Sequence, residues 1–123
     1  MRSRIKKVFV VSACDGIGAA FCAVRILQLP FTGVACEKSP HLRRFVRDKW
    51  PQVATHTDLH QLDSKFISRH FVSSGADFIL FIAGPDCQPF SSLSSNPKGF
   101  ADPRADLTDA CVLVRDICEA IAR

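Results

Sequence analysis

The residues Asp77-Phe78-Ile79-Leu80-Phe81-Ile82-Ala83 constrain the fold more than any other stretch. Every position after the first is apolar, so no face is left for solvent, and the run is too short for a helix. Such a run is expected to be a strand of a parallel sheet, covered on both sides. It leads into Gly84-Pro85-Asp86-Cys87-Gln88-Pro89-Phe90-Ser91, where two prolines with fixed φ stiffen the chain around a cysteine. Ligands of open α/β sheets bind beyond the carboxyl ends of strands, so Cys87 stands where chemistry is expected.

The chain upstream alternates in the same style. A basic lead-in (residues 1–7) precedes a β-branched strand from Lys7 to Ala13. The turn Cys14-Asp15-Gly16-Ile17-Gly18 opens a helix from Ile17 to Gln28, with Ile17, Ala20, Phe21, Val24 and Leu27 on its inner face and Pro30 beyond it. Gly33 to Glu37 reads as a second strand. Ser39 and Pro40 start a second helix, reaching Asp48, with Leu42, Phe45 and Val46 inward. A weak third strand from Val53 to Thr57 ends at Asp58, and a short third helix covers Ser64 to Phe71. After the Cys87 loop and a Ser/Pro/Gly-rich segment, a last helix spans Ala105 to Ala122, with Leu107, Cys111, Val114, Cys118 and Ile121 along one side. This alternation predicts an α/β fold with a parallel, doubly wound sheet in the order 3-2-1-4. The first and fourth strands are then neighbours, and the turns after them open into one crevice.

At 123 residues and 47% hydrophobic, the chain is expected to form one globular domain over 1–123. Its formal charge of +4 leans toward polyanionic partners, or is a solvated basic face. No apolar run approaches membrane-spanning length, and the apolar stretch from Val8 stops at Asp15, too soon for a signal peptide. The six cysteines contain no Cys-x-x-Cys pair, which argues against structural zinc. All but Cys87 fall on apolar faces of the predicted elements, as free thiols do in a reducing compartment. His56 and His60 flank Asp58-Leu59 and are not expected to hold a metal.

Asp15-Gly16-Ile17-Gly18 lets a ligand approach the backbone at a helix start, and Glu37 follows at the distance where an acid takes ribose hydroxyls. Taken alone, these two features suit a nicotinamide site, or a plain turn with a solvated glutamate. Cys87 and its neighbours add a resemblance. Gly84 to Ser91 resembles the nucleophile loop of the cytosine-C5 methyltransferases, usually Gly-Pro-Pro-Cys-Gln-x-Phe-Ser. Val11 to Gly18 resembles that family's first motif, Glu37 its second and Asp58-Leu59 its third. Asp102-Pro103-Arg104-Ala105-Asp106-Leu107 loosely matches the fifth. The match spans most of residues 8–122, with its pieces in order.

The resemblance implies a Rossmann-like, S-adenosylmethionine-dependent methyltransferase fold and an intracellular enzyme, nuclear in a eukaryote and otherwise cytoplasmic. Cys87 would attack cytosine C6, while Asp15, Gly16, Ile17, Glu37, Asp58, Leu59, Pro85 and Leu107 would surround the cofactor. DNA is the implied substrate, with tRNA, through the related family, as the alternative; a non-catalytic cofactor-binding remnant is a third. Cys14 stands where the family usually has phenylalanine, and Asp86 where it has a second proline. The family continues with a Glu-Asn-Val, a basic motif and a target-recognition region. The chain is therefore expected to be a truncated catalytic domain that does not methylate unaided.

Overall fold

The computed structural model describes residues 5–14, 18–84 and 105–122, with residues 105–108 given by their helical backbone. Four strands, β1 (Val8–Ala13), β2 (Phe31–Cys36), β3 (Val53–His56) and β4 (Phe78–Ala83), form one sheet in the order β3-β2-β1-β4. Every pairing is parallel. The helices are α1 (Ala19–Ile26), α2 (Pro40–Lys49), α3 (Ser64–Ser74) and α4 (Ala105–Ala122), with a 3-10 turn at Leu59–Gln61.

Side chains alternate across the pleat, so the central strand β1 serves two cores. Phe9, Val11 and Ala13 meet Val34, Cys36, Leu62, Ile67 and the α4 residues Cys111, Val114 and Cys118. Val8 and Val10 meet Ala20, Phe21, Val24, Val46, Trp50 and Val53 on the other face. Helices α3 and α4 thus cover one side and α1 and α2 the other, as a doubly wound sheet requires. In the second core Phe21, Phe31 and Trp50 form an aromatic group with centroids 5.6–6.3 Å apart. Each such buried side chain contributes about 1.5–3 kcal/mol.

Local chemistry fixes the helix ends. The Ser39 hydroxyl accepts from the Leu42 N–H (3.4 Å) ahead of Pro40, and Asp63 accepts from the Phe66 N–H (2.8 Å). Helix α3 runs on to Ser74, past the expected end at Phe71, until Gly75 takes a left-handed conformation. The entry to β4 is clasped to the entry to β1. The Lys7 N–H donates to the Asp77 carboxylate (2.8 Å), the Asp77 N–H donates to the Lys7 carbonyl (2.8 Å), and Lys7 Nζ donates to the Ser74 carbonyl (2.6 Å).

Four sequence expectations are corrected. Helix α1 stops at Ile26 because Gln28 turns left-handed (φ 59°), which leaves Leu27 68% exposed, while Leu29 packs on the core. Phe45 is 44% exposed, because Val46 and Trp50 are the residues that seat α2. Strand β2 begins at Phe31, whose ring belongs to the aromatic group, rather than at Gly33. Strand β4 meets both cores, with Ile79, Phe81 and Ala83 on one and Leu80 and Ile82 on the other, but less deeply than expected: Phe78 is exposed and the residues after it are half-buried, and among the described residues the strand has one neighbour in the sheet.

Candidate functional site

The strand register places the functional positions. Ala13 lies opposite Cys36 on one side and Ala83 on the other, and Cys36 lies opposite His56, so the four strands end flush. The ladder continues one residue further. The Cys14 N–H donates to the Cys36 carbonyl (2.8 Å), the Glu37 N–H to the His56 carbonyl (3.0 Å) and the Gly84 N–H to the Ala13 carbonyl (2.9 Å). Cys14, Glu37 and Gly84 are thereby fixed in a row across the carboxyl edge of the sheet.

At Gly84 the backbone runs so close to β1 that a Cβ would sit 3.0 Å from the Cys14 carbonyl oxygen. A side chain there would push the two loops apart. Gly18 is left-handed (φ 82°) and starts α1 without a side-chain cap, its carbonyl accepting from the Phe21 N–H (3.0 Å).

Glu37 is half-buried where β2 leaves the sheet. Its Oε1 accepts one long hydrogen bond from the Ser39 N–H (3.3 Å). The Arg43 guanidinium donates to the carbonyls of Glu37 (2.8 Å) and Lys38 (2.6 Å), which ties this exit to the first turn of α2. Asp58 is exposed and caps the 3-10 turn, its Oδ1 accepting from the His60 N–H (2.9 Å) and lying 3.1 Å from His60 Nδ1. The Leu59 side chain is 5% exposed, buried beside Leu62 and Ile67, so what Leu59 can offer a ligand is its backbone. Asp15, Gly16, Ile17, Pro85 and Cys87 lie outside the described residues, and so does the side chain of Leu107 in α4. The structure thus brings Glu37 and Asp58-Leu59 to one edge, together with Cys14 and Gly84.

A feature that sequence reading missed lies between them. Cys14 is left-handed (φ 58°) and half-buried rather than on a strand face, packed against the core cluster that contains Cys111 of α4. Hydrogen bonding with Cys111 lowers the Cys14 thiol from its ordinary value, against burial and the nearby Glu37 carboxylate, with a smaller contribution from Lys38 in the same direction. The same bond and burial push Cys111 up. Burial, aided by Cys14, Asp58 and Glu37, pushes Cys36 up to about 12. Cys14 and Cys111 are 97 positions apart (111 − 14), so no local pattern announces the pair. Among the described residues no group of side chains has the arrangement of a metal site, and no helix is long and apolar enough to cross a membrane.

Among solved structures, the chain is similar to the crystal structure of the S. pombe Dnmt2 methyltransferase, with a TM-score of 0.57 and 22% sequence identity. The fold is that of a Rossmann-like methyltransferase. The similarity covers 83% of this chain and 30% of the Dnmt2 chain, so the chain spans under a third of that protein. No family profile and no curated protein matches the sequence.

Proposed function

We propose that this chain is the cofactor-and-nucleophile part of a cytosine-C5 methyltransferase acting on DNA, with S-adenosylmethionine as methyl donor and Cys87 as nucleophile. The observation that carries the reading is the join between β1 and β4. The Gly84 N–H is bonded to Ala13 and the Gly84 Cα lies against the Cys14 carbonyl, so the cofactor turn and the Cys87 loop start side by side. The similarity of fold to a methyltransferase supports the same reading.

The residues at this edge suit the cofactor. The Glu37 carboxylate, held among the described residues by a single long hydrogen bond, can accept from vicinal ribose hydroxyls. Gly18 begins α1 without a side chain beside the amino-acid moiety, and the Leu59 backbone and Asp58 lie next along the edge for the adenine. When bound, the cofactor supplies an electrophilic methyl group. Cys87 adds to cytosine C6 and makes C5 enamine-like; after methylation, loss of the C5 proton expels the thiolate. A base inside a duplex must first be flipped out.

Titration calorimetry of S-adenosylmethionine against the chain tests the cofactor half, with saturable binding expected. In a full-length context, a DNA duplex bearing 5-fluorocytosine should give a covalent adduct at Cys87, because fluorine cannot leave as a proton does. Absence of cofactor binding would sink the reading. An adduct with the corresponding RNA alone would move the substrate to tRNA.

A further inference from the structure

We infer that Arg43 is the positioning residue for Glu37, acting on its carboxylate through the peptide between Lys38 and Ser39. The inference rests on the cofactor reading above, in which Glu37 takes the ribose hydroxyls. Three residues, Glu37-Lys38-Ser39, carry the chain from β2 to α2. The sheet holds the start of this link, since the Glu37 N–H donates to the His56 carbonyl (3.0 Å). Its next two carbonyls lie past the ladder, and both go to Arg43: Nη1 donates to Glu37 (2.8 Å) and to Lys38 (2.6 Å). One guanidinium nitrogen carries two hydrogens, enough for one bond to each carbonyl. Both bonds are charge-assisted and so stronger than neutral ones.

The second of these bonds reaches the carboxylate. The Lys38 carbonyl and the Ser39 N–H belong to one peptide, which is planar, and no peptide among the described residues is cis. In a trans peptide the two groups point in opposite directions, so an anchored carbonyl aims the N–H. That N–H is the one that donates to Glu37 Oε1 (3.3 Å). Arg43 thus grips one side of the peptide, and the Glu37 carboxylate is held from the other. The anchor itself is firm. Arg43 sits one turn into α2, which Val46 and Trp50, 1% and 3% exposed, seat in the core. Its own N–H donates to the Ser39 carbonyl (3.0 Å), and the Ser39 hydroxyl caps the helix at the Leu42 N–H (3.4 Å), so link and helix move as a unit. Without the guanidinium the peptide is free to turn, and the carboxylate loses the bond that sets its direction toward the ribose.

Calorimetry with S-adenosylhomocysteine, the demethylated cofactor, tests this on the full chain. Arg43→Ala should weaken binding about tenfold, and the same change on a Glu37→Ala background should cost less than about twofold, because the group it positions is gone. Arg43→Lys should recover part of the loss, since an ammonium supplies donors without the planar fork. Arg47→Ala removes an exposed charge one turn further along α2 and should leave affinity within about twofold of wild type. Losses that multiply in the double variant would overturn the inference, because Arg43 would then act through the fold at large. An equal loss from Arg47→Ala would overturn it too, since charge alone would then account for the effect. Urea unfolding checks each variant. If Arg43→Ala does not fold, Arg43→Lys carries the same cycle: a loss with Glu37 present and none without it. No binding by wild type would sink the cofactor reading and this inference together, whereas wild-type binding with an unaffected Arg43→Ala sinks the inference alone.

Discussion

Glu37 is the residue on which the cofactor reading can be tested most directly. Among the described residues its carboxylate has one weak partner, the Ser39 N–H at 3.3 Å, so little structural work is lost when it is removed. Glu37→Ala should therefore weaken S-adenosylmethionine binding by about 1.5–3 kcal/mol, the usual worth of hydrogen bonds to a charged group, with a smaller loss for Glu37→Gln. Calorimetry that shows no loss for either would remove Glu37 from the site. The sequence alone pointed to this residue because it ends the second strand about 20 residues after the Asp15-Gly16 turn, the spacing at which an acid takes ribose hydroxyls. Cys14 shows the opposite case: it reads locally as one more small apolar residue, and its partner lies in α4.

At the scale of elements, most boundaries were legible, and the ends of α1 and α3 and the start of β2 were not. Apolar β-branched runs mark β1 and β4 to within a residue, and Ser39-Pro40 marks the start of α2. Leu27 and Phe45 were misplaced because periodicity assigns a face but does not say where a helix stops or which residue seats it. Gly33 carries a constraint that the pattern hides. A Cβ at that position in β2 would fall well inside contact distance of the Val10 carbonyl oxygen in β1, an atom that cannot move without breaking the ladder. Gly33→Ala should cost about 1–3 kcal/mol, as overpacking usually does, read as a lower urea midpoint with an unchanged slope. Strand β4 presents an outer row of backbone groups beside the exposed Phe78. A charge at such an edge discourages pairing between molecules. Phe78→Lys in the 1–123 segment should reduce concentration-dependent self-association in light scattering, leaving the unfolding midpoint nearly unchanged.

For the molecule as a whole, buried thiols set the alkaline limit. Burial pushes Cys36 up to about 12 and Cys118 up to about 11. Below the ordinary thiol range both are neutral whether the chain is folded or not. From about pH 8.5 upward the unfolded chain releases protons that the folded one keeps, so stability falls as pH rises, by at most about 1.4 kcal/mol per unit for each thiol. With reductant present, the denaturation midpoint should drop between about pH 9 and 11, and the Cys36→Ala/Cys118→Ala double variant should drop less steeply. Equal slopes would mean that these thiols ionise in the folded state.

The clasp between Lys7 and Asp77 joins residues 70 apart, and it begins the pairing of the central strand with its last neighbour. Strand β1, first out of the ribosome among the four, must therefore wait for the last of them before both its edges are satisfied. Most of the chain has to be looped out before that contact forms, so the ordering entropy is met early and the reward comes late. Until then the strand that ends up most deeply buried has one side open, and nascent chains are most vulnerable to mispairing in that interval.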